Sequence, residues 1–417
     1  MAQSPGATLR RLARAAATGG STPGRLRLWM IATAAVAVLF GLLAALGVGR
    51  RDSSLTAADA ASQQLIAVQD VQVRLVHADA IARENYLRGG IEDGAKRAVY
   101  ESELAAVGAG VVSVGNRVLP AEANVLAGVS SQLTRYAGLI EQARANNRQG
   151  FPVGAAYLRT ANGLSTTMVA DLRAVQASLR NQVNDSLDSA DSAGAWLHLV
   201  GWPLLLLLVG GGAWVAFRFR RLLNVPLVLA AIATLLMLVV GGSIQATSMT
   251  DAEAATGSSL QAADLAAQAR SAAFEAHAQE ASTLIARGSG GDDSAWQASV
   301  ATVATALVRL CDIAGECAAL SSFEAYADAH AALRADDDAG DWEAARAASL
   351  DGAASVAFAE FDAVSSEVAA QLGDDAAAAM SAAPEGLATL RVFVFLGGLL
   401  VAALVLVGYG QRLKEYR

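Results

Sequence analysis

Lysine is nearly missing from this chain of 417 residues: Lys96 and Lys414 stand against 29 arginines. Together with abundant alanine, that usage fits a GC-rich genome, such as an actinobacterial one. Histidine and cysteine are scarce too. The four histidines, His77, His198, His277 and His330, never pair with one another or with a cysteine at the spacing a zinc site needs. They are expected to be solvated or capping side chains, and neither a metal nor a cofactor is expected. A Walker loop, an HExxH helix, a nucleophile elbow and a dinucleotide fingerprint are all absent, so the protein is not expected to be an enzyme. Strand-type alternation is absent as well, which argues against a β fold.

What the chain has in excess is uncharged apolar sequence. A hydrocarbon core about 30 Å thick takes roughly 20 apolar residues per helical span, and four runs qualify: 28–48, 196–217, 222–242 and 392–408. The first is too long for a signal-peptide h-region and lacks a clear cleavage site, so it is read as a retained anchor. Basic flanks resist translocation and set orientation. Arg10, Arg11, Arg14, Arg25 and Arg27 precede the first span, Arg218, Arg220 and Arg221 fill the middle loop, and Arg412, Lys414 and Arg417 end the chain. Arg50 and Arg51 oppose this pattern but are outnumbered. The expected arrangement is a multi-pass protein of the cell membrane with both termini cytoplasmic. Residues 1–27, 218–221 and 409–417 lie inside, and 49–195 and 243–391 lie outside. Charge separates the outer segments: 50–195 hold 14 basic and 15 acidic residues, a net of −1, whereas 243–391 hold 6 and 23, a net of −17. Neither has the basic footprint of a nucleic-acid binder.

Both outer segments step their apolar residues by three and four, the helical spacing. In the first, Val68, Val71, Leu75, Ala78 and Ala82 form one seam, and Met168, Leu172, Val175 and Leu179 another. Turns at Gly89-Gly90, near Pro120 and at Gly150-Phe151-Pro152 leave helices near 52–88, 92–115, 120–147 and 153–195. The second segment repeats the plan near 245–287, 293–312, 319–336 and 341–383. Tyr136-Ala137, Arg144 and Gly150 recur as Tyr326-Ala327, Arg334 and Gly340 at an offset of 190. Arg88-Gly89 and Glu92-Asp93 recur as Arg287-Gly288 and Asp292-Asp293. We infer a tandem duplication, giving an all-α membrane protein with four transmembrane helices and two up-and-down four-helix bundles.

Alternate turns of such bundles lie far from the membrane. Candidate partner-docking residues are therefore Gly89, Gly90, Glu92, Asp93, Asn146, Asn147, Arg148 and Phe151 in the first bundle, with Asp292, Asp293, Asp336 and Asp338 in the second. A plain turn explains the Asn-Asn-Arg-Gln-Gly-Phe-Pro tip almost as well as docking does. Arg218, Arg220, Arg221, Arg412 and Lys414 are candidate cytoplasmic contacts, and they suit anionic lipid equally. Arg83, Arg88, Arg144 and Arg159 either grip a carboxylate or, the better-supported reading, line an exposed face with local ion pairs. The acidic run 336–341 lacks the terminal glutamate of a calcium loop, since residue 347 is alanine. It reads as a solvated turn in which Asp341 caps the next helix. Outside the cell, Cys311 and Cys317 are expected to form a short disulfide in preference to free thiols.

The stretches His77-Ala78-Asp79-Ala80-Ile81-Ala82, Leu87-Arg88-Gly89-Gly90-Ile91-Glu92 and residues 145–159, which include Asn146-Asn147-Arg148-Gln149-Gly150-Phe151-Pro152, resemble the GlnX-like family of actinobacterial four-span membrane proteins. That resemblance implies a relay. A solute-binding lipoprotein outside reports aspartate or glutamate status, and a Ser/Thr kinase (protein kinase G) or an adaptor receives it inside. The resemblance supplies no site residues, and the acidic second segment departs from the first. A direct small-molecule sensor of the chemoreceptor kind and an envelope scaffold are the alternatives, and a homo-oligomer is compatible with each. The short cytoplasmic parts imply that output passes through another protein.

Overall fold

The computed structural model describes residues 22–90, 93–219, 224–286 and 293–414. Among them every regular element is a helix. In chain order these are α1 (Thr22–Arg88), α2 (Gly94–Gly115), α3 (Pro120–Arg148), α4 (Val153–Phe219) and α5 (Val225–Ala254), then a π-helical turn (Ala255–Leu260) and α6 (Gln261–Ala286). The chain continues through α7 (Ser294–Ala314), α8 (Ala318–Asp338), α9 (Trp342–Asp351), α10 (Ala353–Ala382) and α11 (Leu387–Lys414). They form two compact units. The apolar unit takes the chain up to Ala57, Asp185–Ala252 and the chain from Ser381; the bundle unit takes Ala58–Asn184 and Glu253–Met380.

Local chemistry sets the breaks. The Asp93 carboxylate caps α2 by accepting from the Ala95 amide at 2.9 Å, and Pro120 opens α3 where a missing N–H costs nothing. The second half is more interrupted than the first. Helices α1 and α4 run 67 residues each without interruption. Their counterparts are broken by the π-helical turn between α5 and α6, by Gly352 between α9 and α10, and by the Pro384–Gly386 turn before α11. Proline cannot donate the next helical hydrogen bond and disfavours helical geometry in the residue before it.

In the apolar unit, α1, α4, α5 and α11 bury Phe40, Val48, Leu204, Met237, Val394 and Val401. Their outward faces are also apolar, with Leu206, Val239 and Leu400 among the exposed side chains. A helix set that is hydrophobic inside and out suits hydrocarbon, where association depends on close packing by small residues. Gly41 and Gly398 supply that contact: a Cβ built on Gly398 would lie 2.5 Å from the Gly41 Cα. The buried Asn224 amide donates to the Gly408 carbonyl at 2.9 Å. Five helices among the described residues are long and apolar enough to cross a membrane. One of them, Ser294–Ala314, has a mean hydropathy of 1.2 in its best window, against 1.9 to 2.7 in the other four. It belongs to the bundle unit, where it packs against α6 and α8.

The bundle unit departs from the expectation of two separate four-helix bundles. Its two halves, 58–184 and 253–380, form one compact body. The seams are as spaced: Val68, Val71, Leu75, Ala78 and Ala82, and Met168, Leu172, Val175 and Leu179, are all buried. Each large apolar side chain so buried contributes about 1.5–3 kcal/mol relative to exposure. The halves meet through polar side chains, since Gln69, Gln72 and Arg83 of α1 all bond to α6. In sequence such residues look like the solvated side of a helix, so periodicity alone separates the halves.

Candidate functional site

The polar seam between α1 and α6 is the most elaborate feature of the bundle unit. The Gln72 amide donates to Ser271 Oγ at 2.7 Å, and the Gln176 amide of α4 donates to Gln72 Oε1 at 2.8 Å. Gln69 and Arg180 both bond Asp264, and Arg173 meets Glu275 at 2.8 Å. Further along, Arg83 bonds Asp79, Asn162 and, at 2.9 Å, Ser282 Oγ. Arg88 grips Asp351 through two hydrogen bonds of 2.9 and 3.0 Å. Gln69, Gln72, Gln176, Asp79 and Arg83 are buried, which is tolerable because each finds a partner, whereas Arg173, Arg180 and Asp351 stay exposed.

Two clefts flank this seam. One of about 660 Å³ is lined by Gln72, Gln176, Arg180, Asp264, Ser271 and Glu275. The other, about 620 Å³, is lined by Arg74, His77, Glu103, Arg270, Asp362 and Asp374 among others. Polar atoms dominate the wall of the first, which fits a hydrogen-bonding solute better than an apolar one, while the second mixes its charged groups with apolar side chains such as Ile66, Val73 and Ala369. Burial raises the Glu275 carboxyl above its ordinary value despite the opposing charge of Arg173, and burial lowers the Arg270 guanidinium despite its ion pair with Asp362.

Each half also has a buried acid at its centre. Tyr136 donates to Asp79 at 2.9 Å, and Tyr326 donates to Glu280 at 3.1 Å. Burial and the adjacent carboxylate push both phenols well above their usual range. The counter-ions differ: Asp79 pairs with Arg83, whereas Glu280 receives His330 Nδ1 at 2.8 Å and the Ser349 hydroxyl at 2.8 Å. Burial would raise Glu280, but the bonds from His330 and Ser349 and the nearby imidazoles hold it below the ordinary value.

These contacts correct several expectations. His277 and His330 are buried rather than solvated or capping: His277 lies on α6 one turn before Glu280, and α8 brings His330 against the same acid from far along the chain. Arg83 and Arg144 are buried instead of lining an exposed face; the Arg144 guanidinium lies 4.3 Å over the Tyr100 ring. Arg412 is buried, so it does not present a free cationic surface, while Lys414 is exposed. Glu92, Asp292, Arg220 and Arg221 lie outside the described residues, as does the side chain of Arg218.

The remaining candidates divide between internal and exposed roles. Gly89 and Gly90 adopt positive φ in the turn after α1, and Asp93 is occupied as a cap. Asn147 ties the α3–α4 turn inward by donating to the Tyr86 carbonyl at 2.7 Å, and Asn146 donates to Gln142 O at 2.8 Å. Arg148 and Phe151 are left exposed at that turn. Asp293 faces His330 Nε2, Asp336 is exposed, and Asp338 accepts from Arg334. Asp341 accepts from the Ala344 amide at 3.0 Å and caps α9. The structure joins Cys311 and Cys317 in a disulfide with a Cα–Cα distance of 4.7 Å. Sequence reasoning passed over Gln69, Gln72, Gln176 and Glu280; the one available signal was polar residues inside an apolar seam.

Comparison with known proteins finds no match among curated proteins or solved structures. Residues 54–188 match the family described as actinobacterial sensor domain. The matched stretch runs from within α1 through α2 and α3 into α4, so the first half of the bundle unit is similar to a sensor domain, in a helical chain suited to a membrane.

Proposed function

We propose that the protein is a transmembrane signal relay that works through partners rather than by catalysis. The observation that carries this reading is the similarity of residues 54–188 to a sensor domain whose first and last helices, α1 and α4, continue unbroken into long apolar stretches. In this reading α1, α4, α5 and α11 are four spans of the cell membrane, both termini are cytoplasmic, and α7 is a bundle helix. A solute-binding lipoprotein docks at exposed turn residues such as Arg148 and Phe151 and reports aspartate or glutamate status. A Ser/Thr kinase of the protein kinase G type, or an adaptor, takes the signal inside. Packed helices switch between discrete arrangements by small sliding or rotation. Unbroken helices would transmit such a shift, while the breaks beside α5 and α10 would absorb one. Crosslinking from Arg148 and Phe151 positions in native membranes should capture a solute-binding protein, and its failure removes the docking half of the reading. Labelling of single cysteines at residues 93, 148, 338 and 414 should place only residue 414 on the cytoplasmic side.

The cleft lined by Gln72, Gln176 and Asp264 favours a second reading, in which a small polar solute binds the bundle unit directly. Titrating the full-length protein in nanodiscs with amino acids separates the two, since saturable heat without any binding protein supports direct sensing.

A further inference from the structure

Building on the direct-sensing reading, we infer that the cleft walled by α4 and α6 is a binding site for a short peptide with unblocked termini, gripped by its backbone and end charges rather than by its side chains. Arg173, Gln176 and Arg180 step by three and four along α4, and Asp264, Gln268, Ser271 and Glu275 do the same along α6. Two ion pairs bound this track: Arg180 with Asp264, and Arg173 with Glu275 at 2.8 Å. The two arginines stand seven residues apart on one helix, which is about 10.5 Å at a rise of roughly 1.5 Å per residue. An extended chain of about three residues spans the same distance, at roughly 3.3–3.6 Å each. Each pair leaves groups to spare at its end of the track. Among the described residues Arg173 and Arg180 bond through Nη2 alone, and Asp264 Oδ2 and Glu275 Oε2 accept nothing.

Between the pairs the floor offers what a peptide backbone needs. Gln69 and Gln176 are 4 % and 6 % exposed, and each spends its amide N–H on the protein, Gln69 on Asp264 and Gln176 on Gln72. Their carbonyl oxygens make no hydrogen bond among the described residues and open on the cleft. Ser271 Oγ accepts from Gln72, which leaves its own proton to give. Backbone N–H groups of a bound chain can therefore donate to two glutamine carbonyls, and a backbone carbonyl can accept from the serine. Buried acceptors of this kind favour a solute that brings its own donors.

Charge and lining narrow the choice of solute. Two arginines and two acids leave the cleft neutral, so a chain with one ammonium and one carboxylate brings no unbalanced charge, whereas a diamine or a dicarboxylate would. A single α-amino acid carries both charges on one residue and reaches only one end. The apolar side chains of the wall are Ala267, Ala272 and Ala298, and no aromatic ring lines it, so a bulky side chain finds no pocket and a ring no face to stack on. Both end pairs tie α4 of the first half to α6 of the second. Their side chains are 31 % to 55 % exposed, and pairs so placed hold little energy, so a peptide terminus can take one partner from each. Occupation then replaces two direct ties between the halves with bridges through the solute.

The test is isothermal titration of the full chain in nanodiscs with alanine, glutamate, tri-alanine, its C-terminal amide, and tri-alanine blocked at both ends. Tri-alanine should give saturable heat, and the single amino acids and the blocked peptide should bind about tenfold or more weakly, the loss of a charge-assisted contact. Arg173→Met and Arg180→Met change exposed side chains, so their thermal midpoints should stay near that of the wild type. One of the two should weaken tri-alanine about tenfold without changing the affinity of its C-terminal amide, which marks the end that holds the carboxylate. Amino acids or blocked peptide binding as tightly as tri-alanine would overturn the inference and leave direct sensing standing. Heat from none of these solutes would overturn both. Tri-alanine binding that ignores both arginine variants would overturn the inference as well.

Discussion

Replacing Arg83 by alanine probes the buried seam most directly. The Arg83 and Asp79 side chains are 4 % and 6 % exposed, and Arg83 also serves Asn162 of α4 and Ser282 of α6. Removing the cation leaves the Asp79 carboxylate desolvated without a counter-ion, at a cost of about 3–5 kcal/mol. For a cooperative body of this size each kcal/mol lowers the midpoint by about 2–4 °C, so a fall on the order of 10 °C is expected. Asp70→Ala is the control: its pair with Arg74 is 57 % and 40 % exposed, Arg74 keeps Glu103, and the loss should cost below about 1 kcal/mol. The combined change Arg83→Met, Asp79→Leu and Tyr136→Phe removes the charges together with the phenol that bonds Asp79, and should be milder than Arg83→Ala alone. Thermal unfolding of the detergent-solubilised full chain, followed by circular dichroism, measures all three. A midpoint within 2 °C of wild type for Arg83→Ala, or a combined variant less stable than the single one, would refute the argument.

Other consequences are equally measurable. Gly398→Leu should prevent recovery of folded protein by size-exclusion chromatography, because its Cβ would meet the Gly41 backbone, whereas Gly410→Ala, with nothing within 4 Å, should be tolerated. Cys311→Ser opens a loop with a sequence separation of 6, and the chain-entropy estimate puts the loss at about 2 kcal/mol, visible as a lower midpoint that reducing agent no longer changes. Asp93→Ala removes the cap of α2 and should cost about 1 kcal/mol, with hydrogen exchange faster at residues 94–97 and unchanged in α8.

Much of the helical frame was legible because it depends on local rules. Gly89, Gly150 and Gly340 end helices where positive φ is needed, Pro120 starts one, and the three-four spacing from Val68 to Ala82 fixes the buried face of α1. The polar interior was not legible. Gln72, Arg83 and His330 carry the chemistry of exposed positions, and each becomes internal through a partner far along the chain: Ser271, Ser282 and Glu280. The turn candidates show the same division, since Asn147 looked available for docking but bonds the Tyr86 carbonyl.

The sequence by itself determined that this is a helical chain with long apolar stretches, since hydropathy and periodicity are properties of neighbouring residues. Only the tertiary structure decided that the two halves share one body and that a histidine stands between two carboxylates within it. Pairing across some 200 residues depends on which faces meet, and a polar face reads alike whether it will meet water or another helix.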